Sequence, residues 1–180
     1  MRKHIKMQAL ILAVVLLVGA VLYGFLYQAD NKYTSALPGG YGYNVLPNDL
    51  EQVSFLVDGW EYYPGQLLSP SDFEGGIQPE YYTYIGKHAN FSDFLGSPYG
   101  TATYRLTLEN PGEPTELALY LPELLCAGRI YINGVLVGEQ GSLEPYAPRV
   151  MDGVYALAVD GSAEIIIQCA NYTHYYSGMY

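Results

Sequence analysis

One long apolar run dominates the N-terminal end of the chain. Residues 7–27 read MQALILAVVLLVGAVLYGFLY and contain no charged side chain. At about 1.5 Å per residue a helix of this length rises about 31 Å, which matches the hydrocarbon thickness of a bilayer. The pattern therefore predicts a transmembrane helix over residues 7–27, preceded by a short flank of residues 1–6.

The remaining chain contains short runs with strand character, separated by turn residues. Residues 101–108 alternate apolar and polar side chains, which is typical of a strand with one buried face. Asn133-Gly134 separates two β-rich runs and predicts a type I′ hairpin turn. About eight strands are predicted from nine runs, which are residues 53–57, 60–63, 81–85, 101–109, 116–121, 129–132, 135–137, 154–159 and 164–170. Because no helical period occurs after residue 27, we expect an antiparallel β-sandwich of the jelly-roll kind.

Two segments depart from this β pattern. Residues 28–52 are rich in Gly and Pro and have no sustained period, which predicts a linker or an irregular lead-in strand. Ser69 before Pro70 is typical of a helix N-cap followed by proline at the first helical position. A short helical turn is therefore expected inside the β domain, which we assign to residues 53–180.

The charged residues are distributed unevenly on the two sides of the apolar run. Arg2, Lys3 and Lys6 are three of the eight basic residues, and all 18 acidic residues follow the apolar run. The positive-inside rule then predicts a cytoplasmic N-terminus and an extracellular β domain on the cell membrane. A cleaved signal peptide is the alternative, and it would export the β domain as well. The acidic surface argues against nucleic acid as a partner.

No catalytic constellation can be assembled from the sequence. It contains no Ser-His-Asp order, H-E-x-x-H motif, P-loop or G-x-G-x-x-G motif. His88 and His174 do not share a metal-ligand spacing with each other or with the scattered carboxylates. We therefore predict no enzymatic activity, no bound metal and no cofactor.

A candidate binding loop lies between the later strands. Residues 138–149 form the longest irregular stretch in that region, and loops at one end of a rigid sandwich commonly bind ligands. Gln140, Glu144, Tyr146 and Arg149 would offer hydrogen bonds and a stacking face to a small hydroxylated molecule. Arg149 has two open roles, because it would either clamp an anionic group or pin the loop through an ion pair.

Four further residues have alternatives that the sequence leaves open. Trp60 is interpreted either as part of the core or as a platform for a stacked sugar. Arg105, in the middle of a strand, is interpreted as a buried or cross-strand partner rather than as a ligand-binding group. Cys126 and Cys169 are the only cysteines, and in an oxidising compartment they would form a disulfide, whereas two buried thiols are the alternative.

Four ordered segments carry a family resemblance. They are LVDGWEYYPGQLLSPSDF at residues 56–73, YGTATYRLTL at 99–108, LALYLPELLCAGRIYINGVLVGEQG at 117–141 and IIIQCANYTHYYSGMY at 165–180. Together they resemble the extracellular jelly-roll domain of bacterial 7TM-DISM receptors, whose fold is similar to the galactose-binding-like sandwich. The resemblance covers residues 53–180, which is nearly the whole of the chain after the predicted transmembrane helix.

The resemblance implies a sensor domain of a signal-transduction receptor. In such receptors a seven-helix membrane domain and a cytoplasmic output, often a histidine kinase, follow the jelly roll. Because the sequence has neither, the chain is interpreted as a fragment or as a stand-alone anchored module with its last strand missing or supplied by a neighbour. A similar fold forms the sugar-binding domain of family 2 glycoside hydrolases, so carbohydrate is an expected ligand and a carbohydrate-binding accessory domain is the alternative function.

Overall fold

The N-terminal apolar run forms a single helix. The structure, a computed structural model, describes residues 2–31, 35–37, 39–50 and 53–179. Helix α1 comprises Arg2–Asn31, and its portion Lys3–Ala29 is long and apolar enough to cross a membrane. The helix extends beyond residues 7–27 at both ends because neither flank contains the glycine or proline that would interrupt it.

The remaining chain is mostly β-strand, as predicted. In chain order the strands are β1 Ser35–Ala36, β2 Gly39–Gly40, β3 Tyr43–Val45, β4 Ser54–Phe55, β5 Asp58–Pro64, β6 Tyr81–Tyr84, β7 Gly100–Glu109, β8 Thr115–Leu121, β9 Ala127–Ile132, β10 Val135–Gln140, β11 Gly153–Val159 and β12 Ser162–Asn171. Two short helices interrupt them, α2 Pro70–Phe73 and α3 Phe91–Leu95. The chain divides into a unit that contains α1 and a β domain that comprises Ala36–Glu51 and Phe55–Tyr180.

The large sheet of the β domain has eight strands arranged around β7. The order β10-β9-β12-β7-β3-β2 describes most of it, and β5 and β6 join beside β7. Along one edge β7 pairs with β12, and along the other it pairs with β5 and then with β3. The β3–β7 pair is parallel, whereas the other pairs in this sheet are antiparallel. Residues 39–45, placed by the sequence in a linker or irregular lead-in strand, thus contribute two strands to this sheet.

A two-stranded antiparallel sheet of β8 and β11 shares its core with one face of the large sheet. Alternate side chains of these two strands point inward, which is the arrangement of a strand with one buried face. The inward residues of β8 and β11 are Leu117, Leu119, Leu121, Tyr155, Leu157 and Val159. They pack with the buried side chains of β7, which are Ala102, Tyr104, Leu106 and Leu108. This core fixes the two sheets face to face.

The turn of the β9–β10 hairpin has the backbone conformation that the sequence predicts. Asn133 and Gly134 have φ angles of 49° and 79°, and Val135 pairs with Ile132 across the turn. Positive φ at both central residues is the signature of a type I′ turn. By contrast, Asp58-Gly59, which the sequence leaves between the predicted strand runs 53–57 and 60–63, lies inside β5, where a register shift and φ of 77° at Gly59 form a bulge.

The two short helices differ in how far the sequence predicted them. Ser69 occupies the N-cap position of α2, as predicted, and its backbone N–H and hydroxyl both donate to Asp72 Oδ2, at 2.7 and 2.6 Å. Helix α3 was not predicted, since five residues are too few to establish a helical period. Asn90 caps it by accepting from the Asp93 N–H at 3.1 Å, and Gly96 ends it with φ of 67°.

The core also contains three residues whose roles the sequence left open. Trp60 is only 3% exposed, and its Nε1 donates to the Leu56 carbonyl oxygen at 2.8 Å. Its ring is therefore packed in the core rather than presented as a platform for a sugar. Cys126 and Cys169 are both buried and both free, so the structure contains the two-thiol alternative rather than the disulfide.

Candidate functional site

Several connecting segments leave the large sheet at the same end. Strand β7 begins opposite the last residue of β12, and β9 begins beside that point. Strand β10, which is antiparallel to β9, ends beside the start of β9. Three of the segments that extend from this end are residues 96–99, 141–152 and 172–179. We refer to this region as the loop end.

Asn171, the last residue of β12, joins these segments. It is fully buried, and its Nδ2 donates to the carbonyl oxygens of Pro98 and His174 at 2.7 and 2.6 Å. Its Oδ1 accepts from the Tyr146 hydroxyl at 3.3 Å and from the backbone N–H groups of Thr173 and His174 at 3.3 and 3.0 Å. One amide therefore uses both its donors and its acceptor to hold three separate segments in a fixed arrangement.

The loop that carries most of the predicted site residues is itself a folded structure. Ser142 and Ala147 exchange two backbone hydrogen bonds of 2.8 and 2.9 Å. Leu143 is buried in a small cluster with residues of β9 and β12. Gly141 has φ of 76°, and a Cβ at this position would overlap with the Ala147 carbonyl oxygen, so only glycine fits. These contacts pre-organise the loop.

Tyrosines dominate the exposed surface of the loop end. We call the following five residues the tyrosine cluster: Tyr99, Tyr146, Tyr172, Tyr175 and Tyr176. Tyr175 is 75% exposed, whereas Tyr146 is half-buried. The rings of Tyr146 and Tyr172 meet edge to face with centroids 5.0 Å apart, and those of Tyr175 and Tyr176 do so at 5.3 Å. Such rings offer an apolar face and a polar tip to the same ligand.

The structure places three of the predicted loop residues on this surface. Glu144 and Arg149 are exposed, and Tyr146 belongs to the tyrosine cluster. Among the residues that the structure describes, Arg149 makes no ion pair, so the loop is held without it. Its guanidinium is therefore available to solvent and to an approaching ligand.

Gln140 does not lie on this surface. It is the last residue of β10 and is 0% exposed, because its side chain turns inward, where its Oε1 accepts from the Leu124 N–H at 3.4 Å. Its Nε2 has no hydrogen-bond partner in the described part of the chain. Together with Trp60, Gln140 is a predicted site residue that the structure buries.

Sequence reasoning missed Asn171 and the C-terminal tyrosines. Residues 171–176 read NYTHYY, so an Asn at a strand end is followed directly by three of the tyrosines in the cluster. Asn side chains commonly satisfy the backbone groups of the turn that follows them, which is the signal that would have indicated a structured end. The partners Pro98 and Tyr146 are distant in sequence, and no local pattern identifies them.

The described loop end provides groups suited to non-covalent contacts. His174 Nδ1 already accepts from the Tyr176 N–H at 3.1 Å, and no side chain of the described loop end pairs a nucleophile with a base. In the described part of the chain, no group of three or more His, Cys, Asp and Glu residues is arranged to hold a metal ion. Stacking, hydroxyl hydrogen bonds and one exposed guanidinium are what this surface provides.

Comparison with known proteins does not assign a family. No protein-family model and no curated protein matches the chain. Among solved structures it is similar to a GH2 beta-galacturonidase from Eisenbergiella tayi, with a TM-score of 0.45, 12% identity and coverage of 68% of this chain and 21% of that enzyme. It is also similar to a Ruminococcus gnavus beta-glucuronidase, with a TM-score of 0.44, 14% identity and coverage of 68% of this chain and 26% of that enzyme. A third similar structure is a Kluyveromyces marxianus beta-glucosidase, with a TM-score of 0.40, 16% identity and coverage of 82% of this chain and 18% of that enzyme. The chain thus spans about a quarter or less of each enzyme, and the similarity is too weak to assign a function.

Proposed function

We propose that this chain is the membrane-anchored, extracytoplasmic ligand-binding domain of a bacterial signal-transduction receptor. The observation that carries the proposal is the convergence of three segments on the buried amide of Asn171, beneath a surface of exposed tyrosines. A binding site benefits from such pre-organisation, because little ordering entropy is lost when the ligand arrives. The ligand is a small polar molecule, and Glu144, Tyr146 and Arg149 contact it.

In this proposal α1 anchors the domain, with its basic flank in the cytoplasm and the acidic β domain outside. The two sheets form a jelly roll. Ligand binding changes the arrangement of the loop end, and membrane and histidine-kinase modules outside residues 1–180 read that change. The uncharged, apolar course of residues 7–27 and the basic residues that precede them at the start of α1 support the anchored orientation.

The second candidate function is a carbohydrate-binding accessory domain of a cell-surface glycosidase. The tyrosine cluster favours it, since aromatic rings with hydroxyl tips suit the faces and edges of sugars. In that case binding would concentrate an attached enzyme on its substrate, and no signal would cross the membrane. The two functions share the binding surface and differ in what is attached to the domain.

A thermal-shift screen of the full chain in detergent tests the binding surface. We expect at least one member of a panel of glycans and small polar metabolites to raise the melting temperature. Arg149→Ala and Tyr172→Ala should each remove that shift without lowering the melting temperature of the free protein. Lys87→Ala is the matched control, because it removes one exposed positive charge that lies over the ring of Tyr84 rather than at the loop end. A shift that both loop-end variants retain, or no shift with any compound, would contradict the proposal.

A further inference from the structure

The β2–β3 hairpin contains a tyrosine in an unfavourable backbone conformation. Gly40 pairs with Tyr43, so Tyr41 and Gly42 form a two-residue turn, and their φ angles are 54° and 93°. Positive φ at both central residues is the signature of a type I′ turn, which the β9–β10 hairpin forms with Asn133-Gly134. Asn tolerates positive φ, whereas a bulky side chain rarely adopts it. Tyr41 is therefore a strained choice for this position.

The surrounding strands hold the turn in place. The Gly42 N–H donates to the Gly59 carbonyl oxygen on β5 at 2.7 Å, and the Gly42 carbonyl oxygen accepts from the Thr107 N–H on β7 at 2.9 Å. Gly59 also lies close against Gly40, since a Cβ on Gly59 would be 2.8 Å from the Gly40 Cα. These contacts fix the backbone of the turn, and none of them involves the Tyr41 ring. Strained residues that the surroundings hold in this way are concentrated at functional sites.

The Tyr41 ring lies at the surface against a tyrosine of β6. Tyr41 is 81% exposed, and Tyr82 is 43% exposed. The two ring centroids are 5.2 Å apart, and the ring planes are nearly perpendicular, at 85°. Two exposed rings at a right angle let one small group contact both of them. We call Tyr41 and Tyr82 the tyrosine pair.

A carboxylate lies beside the tyrosine pair. Glu61 on β5 is the cross-strand partner of Tyr82, so their side chains share one face of the sheet. Glu61 Oε1 also lies next to the turn, 2.6 Å from the position that a Cβ on Gly42 would occupy. Its Oε2 accepts from Arg105 Nη1 at 3.0 Å, but Arg105 also pairs with Glu164, so two carboxylates share one guanidinium. A net negative charge therefore remains beside the pair.

Ring chemistry and charge together favour a cationic ligand. The face of an aromatic ring attracts positive charge, and the carboxylate of Glu61 would repel an anion. The same strand already accommodates an ammonium group of the chain, because Lys87 Nζ lies 4.3 Å from the centroid of the Tyr84 ring. On an exposed surface a primary ammonium group retains its strong hydration. A quaternary ammonium group spreads its charge over methyl groups that pack on the rings, so it is the better ligand.

We propose that the tyrosine pair is a binding site for a small, free quaternary ammonium cation. Tyr41 and Tyr82 contact its methyl groups, and Glu61 supplies the balancing negative charge. The strained turn presents the Tyr41 ring to the cation. This site goes beyond the function proposed above, since none of the three residues belongs to the loop end.

Saturation-transfer NMR of the full chain tests the class of ligand, with choline as the probe and a detergent without a choline headgroup. 3,3-Dimethylbutan-1-ol has the shape of choline without its charge, and ethanolamine has the charge without the methyl groups. We expect choline to bind, and both analogues to bind at least about threefold more weakly. Phosphocholine distinguishes a lipid headgroup from a free cation, and we expect it to bind more weakly than choline because Glu61 repels its phosphate. No binding of choline, or binding of any of these three compounds as tight as that of choline, overturns the proposal.

Variants of the turn locate the binding and test the purpose of the strain. Tyr41→Asn gives the turn the Asn-Gly sequence of the β9–β10 hairpin, so it should raise the melting temperature and weaken choline binding at least about threefold. Tyr41→Phe keeps the ring and should bind choline as the parent does. Tyr120→Asn is the control for binding, because Tyr120 is 58% exposed on β8, in the other sheet, and it should leave choline binding unchanged.

Variants of the carboxylate test the role of charge. Glu61→Gln keeps an acceptor for Arg105 and should weaken choline binding. Glu139→Gln is its control, because Glu139 also accepts from an arginine, Arg129, but on β10, and it should have no effect. If Tyr41→Asn and Glu61→Gln both bind choline as the parent does, or if Tyr172→Ala at the loop end abolishes the binding, the cation does not occupy the tyrosine pair.

Discussion

Two buried thiols lie side by side in the core. Cys126 and Cys169 share a hydrogen bond, and this bond together with complete burial holds the pKa of the Cys169 thiol well above its ordinary value. A protonated, buried thiol is a poor nucleophile. We therefore expect iodoacetamide at pH 8 to leave both cysteines of the native protein unmodified, and to modify both after denaturation without reductant. If the denatured protein does not react and its mass is 2 Da lower than that of the reduced chain, the two cysteines form a disulfide instead.

The arrangement of the loop end depends on the side-chain amide of Asn171. Asn171→Ala removes all five of its hydrogen bonds and leaves buried backbone groups unpaired, so we expect a loss of about 2–4 kcal/mol of unfolding free energy. Asn110→Ala is the control, because Asn110 similarly bonds Glu113, Val159 and Gly112 beyond the far end of β7. Chemical denaturation should show destabilisation in both variants, whereas only Asn171→Ala should weaken the ligand response. An unaffected response in Asn171→Ala would separate the binding site from this amide.

At the scale of the element, the start of α2 depends on the charge of Asp72, which accepts hydrogen bonds from the N-cap residue Ser69. The hydrogen bonds from Ser69 hold the pKa of the exposed Asp72 carboxyl below its ordinary value. The contribution of the cap is therefore complete above the unfolded pKa of about 4, and it is lost as the pH falls through the lower folded value. We expect Asp72→Asn to be less stable than the parent at pH 7 and equally stable near pH 2. Urea denaturation across this range measures the difference, and a difference that persists unchanged at pH 2 would contradict the role of the charge.

The loop from Gly141 to Ala147 depends on a residue without a side chain. Gly141→Ala adds both backbone strain at positive φ and overlap with the Ala147 carbonyl, whereas Gly161→Ala adds only the strain, since φ is 69° and no atom lies within 4 Å. We expect Gly161→Ala to cost about 1 kcal/mol and Gly141→Ala clearly more. Only Gly141→Ala should also weaken ligand binding. Thermal unfolding measures both, and equal costs would mean that the loop rearranges freely.

At the scale of the whole molecule, charge around α1 sets the expected orientation. An epitope tag after Tyr180 should be cleaved by protease added to intact cells, because the basic flank favours the cytoplasm. Replacing Arg2, Lys3 and Lys6 by Glu should reduce the exposed fraction of the tag, whereas replacing them by one another should not. A tag that is protected in the parent protein would refute the extracytoplasmic assignment.

Much of the fold was predictable because it depends on local preferences. The apolar run of α1, the alternation along β7, the Ser69 cap and the Asn133-Gly134 turn each follow from a period or from the conformational preference of one or two residues. The candidate site was predicted only in part. Glu144 and Arg149 lie on the loop surface as expected, whereas Gln140 and Trp60 are buried. The sequence did not separate the two cases because an amide or an aromatic side chain that suits a binding site can also be buried in a core.

The sequence by itself determined where α1, most strands of the β domain and their sharpest turn occur, since these depend on neighbours along the chain. Only the tertiary structure decided which distant elements meet. Asn171 bonds Pro98 across 73 positions, and Arg105 pairs with Glu164 across 59. The parallel pairing of β3 with β7 is decided in the same way. A period records which face of a strand is apolar but not which strand will lie beside it, so the loop end became visible only in the folded chain.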